Sequence, residues 1–191
     1  MLVKLSSIVS SPLPAKTAAN VSLTANRADA TVAPHLKGKV QRMLRFQLLQ
    51  PDMLGALGRA GHGSQILIAD GNYPFSTTLG RNSTLVSLNL RPGLVSCTQV
   101  LETIAAAVPL EAAAVMAAAR EGPYALAEDP PIWNEFRSIL KLTGRDLRLD
   151  QMERFDFYRA GAADTVALSV ATGEQRIYAN ILLTIGVVMP G

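Results

Sequence analysis

Apolar positions first fall into a helical rhythm after Pro51, where Met53, Leu54, Leu57 and Ala60 share one face and Gly61 offers a stop. The rhythm then changes. QILIA (65–69) is short, apolar and partly branched, which predicts a buried strand ending at the turn Asp70-Gly71-Asn72. STLVSLNL (83–90) predicts a second strand, closed by Arg91-Pro92-Gly93. Ser96 and Gln99 form a capping box ahead of Val100, Leu101, Ile104 and Val108, so a helix follows. AAAVMAA (112–118) is compatible with strand or helix, because alanine leaves no clear period. Asp129-Pro130-Pro131 opens another helix, with Ile132, Trp133, Phe136, Ile139 and Leu140 on one face and Gly144 as its stop. That stripe reads as core, with no ligand role. DLRL (146–149) alternates like a strand, RFDFYRA (154–160) fits a short helix, and DTVALSVA (164–171) fits a strand. Thr172-Gly173-Glu174 is a turn, and YANILLTIGVV (178–188) predicts a long final strand. Strands alternating with helices predict an α/β class: a single three-layer domain, with a Rossmann-like mixed or mostly parallel sheet flanked by helices.

Composition agrees with a packed domain. Of 191 residues, 49% are apolar and 17% charged, enough to bury a core. The net charge of +3 hints at an acidic partner until the charges are located. Residues 1–42 carry Lys4, Lys16, Arg27, Lys37, Lys39 and Arg42 against Asp29 alone, a net +5. The remaining residues hold 12 basic and 14 acidic side chains, a net −2. The first segment is rich in Ser, Thr and Ala, lacks an apolar period, and reads as a disordered or loosely attached extension of a domain over 43–191. Its LSSIVSSPL (5–13) is too polar for a secretory signal, while its basic, Ser-rich composition also fits a transit peptide or a start at Met43. No stretch reaches the ~18 uninterrupted apolar residues of a membrane span. With one cysteine and no export signal, the expected compartment is the cytoplasm.

Several chemistries fail on motif. One cysteine and two histidines supply neither a disulfide scaffold nor a Cys- or His-rich metal centre. GRAGHGSQ (58–65) lacks the third glycine of a dinucleotide fingerprint and lies between a helix and a strand. No phosphate loop and no G-x-S-x-G elbow occurs. Cys97 reads as a small buried hydrophobe, and His35 lies idle in the extension. What remains is His62, between two glycines at a helix end, eight residues before Asp70 at a strand end. Imidazole and carboxylate could supply a proton donor and its partner near neutral pH. They are expected at one rim of a cleft at the sheet edge, where α/β domains place ligands.

The segment PDMLGALGRAGHGSQILIADGNYP (51–74) resembles the ribose pyranase/fucose mutarotase family, whose pattern is roughly GHGD-x-(apolar)-x-x-D-A. ERFDFYRA (153–160) and TGEQRIYANILLTIGVV (172–188) resemble its later motifs, in the right order. The resemblance implies that His62 is the catalytic acid and that Asp70, Arg154, Tyr178 and Asn180 contact a sugar. The arginine and FDFY of the middle motif resemble the fucose branch more than the ribose branch. Two departures, Ser64 for the Asp of GHGD and Gly71 for the alanine after Asp70, bear on which sugar is taken. A homo-oligomer, commonly a decameric ring, is also implied.

The chemistry suits those side chains. Interconverting anomers, or pyranose and furanose forms, needs a proton on the ring oxygen and removal of one from the anomeric hydroxyl. No cofactor, metal or covalent nucleophile is expected. Arg154 can make forked hydrogen bonds to sugar oxygens, Tyr178 can bond a hydroxyl or lie along the ring, and Asn180 both donates and accepts. Being two apart in an expected strand, Tyr178 and Asn180 should share a face. The alternatives are a sugar-binding module without turnover and ribose pyranase chemistry within the family. A nucleic-acid or anionic-surface binder acting through 1–42 would lack an aromatic residue to stack on bases. The expected partner is therefore a monosaccharide, with no nucleic acid and no membrane.

Overall fold

The computed structural model describes Leu44, residues 47–144 and residues 146–189. The extension expected over 1–42, with His35, and the alternative start at Met43 lie outside the described residues.

The first helix, α1 (Pro51–Arg59), begins where proline occupies the first turn and the Gln50 side chain accepts from the Met53 N–H at 2.6 Å. It buries Met53 and Ala56 and ends with Ala60 as its C-cap, directly before Gly61. Strands β1 (Gln65–Ala69) and β2 (Thr84–Ser87) follow, then α2 (Cys97–Ala105), opened by the expected capping box of Ser96 and Gln99. The ambiguous alanine-rich run is a strand, β3 (Leu110–Met116). Next comes α3 (Ile132–Lys141), whose expected stripe of Ile132, Trp133, Phe136, Ile139 and Leu140 is buried. The chain closes with β4 (Leu149–Met152), α4 (Arg154–Gly161), β5 (Val166–Ala171) and β6 (Ile181–Ile185).

The six strands form one sheet in the order β2-β5-β1-β6-β3-β4. β2, β5 and β1 pair parallel, as do β3 and β4, while β6 runs antiparallel between β1 and β3. Successive strand residues face opposite sides, and Ile66, Leu67, Ile68 and Ala69 of β1 are all buried. Both faces of the central strands are therefore covered, as the expected layered α/β domain requires.

Two strand boundaries differ from the sequence pattern. DLRL only begins to pair at Leu149, and the pairing extends to Met152 alongside Met116 of β3. The last strand starts at Ile181, not at residue 178. Tyr178 has φ 61°, a left-handed angle that a strand cannot contain. Tyr178 and Asn180 thus stand on a turn before β6, and their placement does not come from strand alternation.

Every parallel strand delivers its C-terminal end to one sheet edge. Asp70 follows β1, Thr172–Glu174 follows β5, Ala117 follows β3 and Glu153-Arg154 follows β4. The antiparallel β6 contributes its entry, residues 178–180, to that same edge. This is the side on which α/β sheets bind ligands.

Candidate active site

Asp70 leaves β1 buried, only 2% exposed. Its Oδ1 accepts from the Asn72 N–H at 2.9 Å and its Oδ2 from the Ala179 N–H at 3.3 Å. Its own N–H donates to Asn180 Oδ1 at 2.9 Å, which leaves the Asn180 amide nitrogen as a donor. Burial pushes the Asp70 carboxyl above its ordinary value; the hydrogen bonds oppose that, and the negative charge of Glu174 adds to it.

Tyr178 is held from three sides. Its hydroxyl donates to the Tyr124 carbonyl at 2.9 Å and accepts from Arg154 Nη2 at 3.3 Å. Its carbonyl accepts from Trp133 Nε1 at 3.1 Å. These bonds stabilise the left-handed backbone and leave the ring, more than the hydroxyl, to meet a ligand. Trp133 is core, as expected, yet it also positions Tyr178, and a helical apolar stripe carries no signal of that.

A cavity of about 260 Å³ opens between these groups. Asp70, Arg154, Tyr178 and Asn180 line it together, so four of the five residues singled out in the sequence converge. Met116, Tyr124, Tyr158 and Ile177 add apolar and aromatic walls that no motif flagged. Tyr73 completes it, with its ring 4.8 Å from that of Phe75 and 5.6 Å from that of Tyr158.

The Tyr73 hydroxyl is buried with no hydrogen-bond partner within bonding geometry among the described residues. A Cβ on Gly161 would lie 2.4 Å from that hydroxyl, so α4 passes there only as glycine. An unpaired buried hydroxyl costs about 1–3 kcal/mol. Tyr73→Phe is therefore expected to stabilise the fold by about 1 kcal/mol, read as a higher midpoint in urea. A lower midpoint would show that the hydroxyl is paired.

Glu174 organises the loop between β5 and β6. Its carboxylate accepts from the N–H groups of Gln175 (3.0 Å) and Arg176 (3.1 Å) and from Arg176 Nε (2.9 Å) and Nη2 (2.8 Å). Arg176 reaches on to Glu135 of α3 at 2.7 Å, and the Glu174 carbonyl accepts from the Gly71 N–H at 3.0 Å. Burial works to raise the Glu174 carboxyl, but the Arg176 hydrogen bonds outweigh it and hold it below its ordinary 4.5. Glu174 thus ionises more readily folded than unfolded. Its stabilising contribution is present above that value and is lost as pH falls below it. Glu174→Gln should cost about 1–3 kcal/mol at pH 7. The deficit relative to wild type should shrink on acidification to about pH 3, and a constant deficit in thermal melts at both pH values would refute the assignment. The alanine expected by resemblance at position 71 would meet the Glu174 carbonyl at 3.4 Å, the inner edge of ordinary contact.

His62 is elsewhere. It precedes β1 and Asp70 follows it, so the strand, about 17 Å for its five residues, separates the two. The expectation of one shared rim is corrected, because a whole strand intervenes. The imidazole is 60% exposed, and its Nε2 lies 3.1 and 3.2 Å from the two carboxylate oxygens of Glu111 on β3. The carboxylate that orients His62 is Glu111, not Asp70. Gly63 adopts φ 78°, which needs glycine, and Ser64 closes the turn by accepting from the Gly61 N–H at 3.2 Å. A polar hollow of about 560 Å³ surrounds His62, with Arg59, Asn82 and Asp164 on its walls.

Cys97 donates to or accepts from the Thr172 hydroxyl at 3.2 Å, and burial pushes its thiol up to about 12. It is an inert core group, as expected. Among the described residues no three His, Cys, Asp or Glu side chains gather as a metal site, and no helix is long and apolar enough to cross a membrane.

Several known proteins are similar to this chain. Residues 43–188 match the RbsD / FucU transport protein family. Human fucose mutarotase is 35% identical over 151 residues, covering 73% of this chain and 90% of that protein. The zebrafish (Danio rerio) fucose mutarotase is 34% identical over 150 residues, covering 75% and 92%. The Streptococcus pneumoniae fucose mutarotase, solved in complex with L-fucose, aligns with TM-score 0.60 at 30% identity, covering 73% of this chain and 94% of that one. Bacillus subtilis RbsD, solved with D-ribose, shares the fold with TM-score 0.63 at 20% identity, covering 77% and 100%. With its motifs, its sheet and nearly the full length of these relatives matched, the chain belongs to the RbsD/FucU family.

Proposed function

We propose that this protein is a cofactor-independent sugar mutarotase acting on a 6-deoxyhexose of the L-fucose type. The observation that carries the reading is the cavity of about 260 Å³ in which buried Asp70 and Asn180, half-buried Arg154 and the Tyr178 ring converge. It is small, polar on one side and apolar on the other, which suits one sugar ring. Asp70 accepts from a sugar hydroxyl, Asn180 and Arg154 donate to sugar oxygens, and Met116 and Ile177 face a methyl group. The similarity to fucose mutarotases at 35% identity, against 20% for the ribose-bound relative, supports fucose over ribose.

The acid is His62, whose Nε2 is held by Glu111. It protonates the ring oxygen while a water molecule takes the proton of the anomeric hydroxyl; the C1–O bond to the ring opens to an aldehyde, C1 turns, and the ring hydroxyl re-adds as the two protons return to the imidazole and the carbonyl oxygen. One chain cannot bring His62 and Asp70 to the same sugar, because β1 lies between them. The acid at each cavity therefore comes from a second copy, in a cytoplasmic homo-oligomer. The exposed imidazole supports such a contact. Saturation-transfer NMR tests the reading: the protein should accelerate exchange between the α and β anomer signals of L-fucose. Binding without acceleration would leave a sugar-binding module instead.

A further inference from the structure

We propose that Tyr124 is a specificity-determining residue, whose ring closes the sugar cavity against a neighbouring hollow and so limits it to a single unsubstituted sugar ring. This rests on the mutarotase reading of the same site.

Beside the cavity of about 260 Å³ lies a hollow of about 290 Å³, floored by Ala117, Ala118 and Ala119 and edged by Pro123 and Phe155. Tyr124 and Arg154 are the two residues that line both, so together they are the partition. Arg154 is tied to the Tyr178 hydroxyl and carries sugar contacts in the proposed function. Tyr124 is free of that duty. Its side chain belongs to a residue 63% exposed, and its backbone carbonyl, not its ring, accepts from Tyr178.

The partition is built rigidly. The segment carrying Tyr124 turns at Gly122, whose φ of 88° needs glycine. The Leu126 N–H donates to the Ala119 carbonyl at 2.9 Å, folding the segment back on itself. Arg120 bonds the carbonyls of Leu126 and Ala127 at 3.1 and 3.2 Å and the Asp129 carboxylate at 2.7 Å. An aromatic ring carried on a segment held in this way contributes apolar area toward the sugar and excludes anything larger. Three alanines behind it leave room that an added substituent could fill if the ring were absent. Discrimination here comes from a wall that rejects, as much as from contacts that attract.

Because the carbonyl holds Tyr178, truncating the ring leaves the catalytic side of the cavity in place. The experiment compares wild type, Tyr124→Ala and Tyr124→Phe on L-fucose and on its 2-, 3- and 4-O-benzyl ethers, each with a free anomeric hydroxyl. Anomer exchange gives KM and kcat, ligand-observed titration gives Kd without needing turnover, and light scattering gives the oligomeric state. Wild type and Tyr124→Phe should prefer L-fucose over every ether by about tenfold or more. Tyr124→Ala should narrow that preference for one ether by about tenfold, with KM for L-fucose raised. Unchanged preferences in Tyr124→Ala would overturn the proposal, as would a wild type indifferent to the ethers. A changed oligomer with unchanged preferences would also overturn it, assigning the ring to a subunit contact. If wild type binds L-fucose without accelerating exchange, the mutarotase reading fails, and the Kd ratios still decide the role of Tyr124.

Discussion

His62→Ala slows protein-accelerated anomer exchange of L-fucose by about two to four orders of magnitude, the range for loss of a general acid, with little change in melting temperature. The stability expectation follows from exposure: the imidazole is 60% exposed and among the described residues bonds only to Glu111. The more telling result comes from mixing. His62→Ala and Arg154→Ala, each nearly inactive alone, should recover activity when co-refolded. In a symmetric contact, a cavity from the first variant meets the intact imidazole of the second at about a quarter of the sites. An acid working within one chain would recover nothing, since each chain then carries a defective site. Failure of the mixture with robust mixed oligomers would therefore sink the two-copy site while leaving the sugar chemistry open.

Gly173→Ala is the substitution expected to cost most stability. A Cβ there would lie 2.0 Å from the Leu94 carbonyl oxygen and 2.5 Å from that of Arg91. Both are backbone atoms, so no side chain can swing away. The approach is close because the two segments bond each other: the Gly173 N–H donates to the Val95 carbonyl at 2.9 Å, and the Gly93 N–H to the Gly173 carbonyl at 2.6 Å. Forcing them apart should cost about 3 kcal/mol or more, lowering the midpoint of thermal unfolding by about 6–12 °C for a domain of this size. The damage also reaches the cavity. Residue 173 leads into Glu174, whose carbonyl ties down Gly71 and whose carboxylate shapes the approach to Tyr178. Any folded fraction should thus show a raised KM for L-fucose. A wild-type melting curve would mean that the loop yields without cost.

Much of this architecture was legible in the chain. The capping box of Ser96 and Gln99, the proline at the start of α1 and the stripe along α3 are local signals, decided within a few residues, and the structure follows them. The final strand was overextended because Tyr178 and Ala179 look like the start of an apolar run. Only the bonds from Trp133, Tyr124 and Arg154, all distant in sequence, reveal why Tyr178 bends into a left-handed turn.

By itself the sequence determined the alternation of strands and helices, the burial of the apolar segments and the identity of a small set of polar residues, four of which line one cavity. These depend on period, capping and residue type, which are properties of neighbours along the chain. The tertiary structure decided which of those residues meet. It ran β6 antiparallel, so that Asn180 could bond Asp70 across 110 positions. It set β1 between His62 and Asp70, giving the first a partner in Glu111 and the second a place in the cavity. Strand direction and strand order are choices among pairings of similar local propensity, settled by packing both faces of one sheet, and no eight-residue spacing can register them.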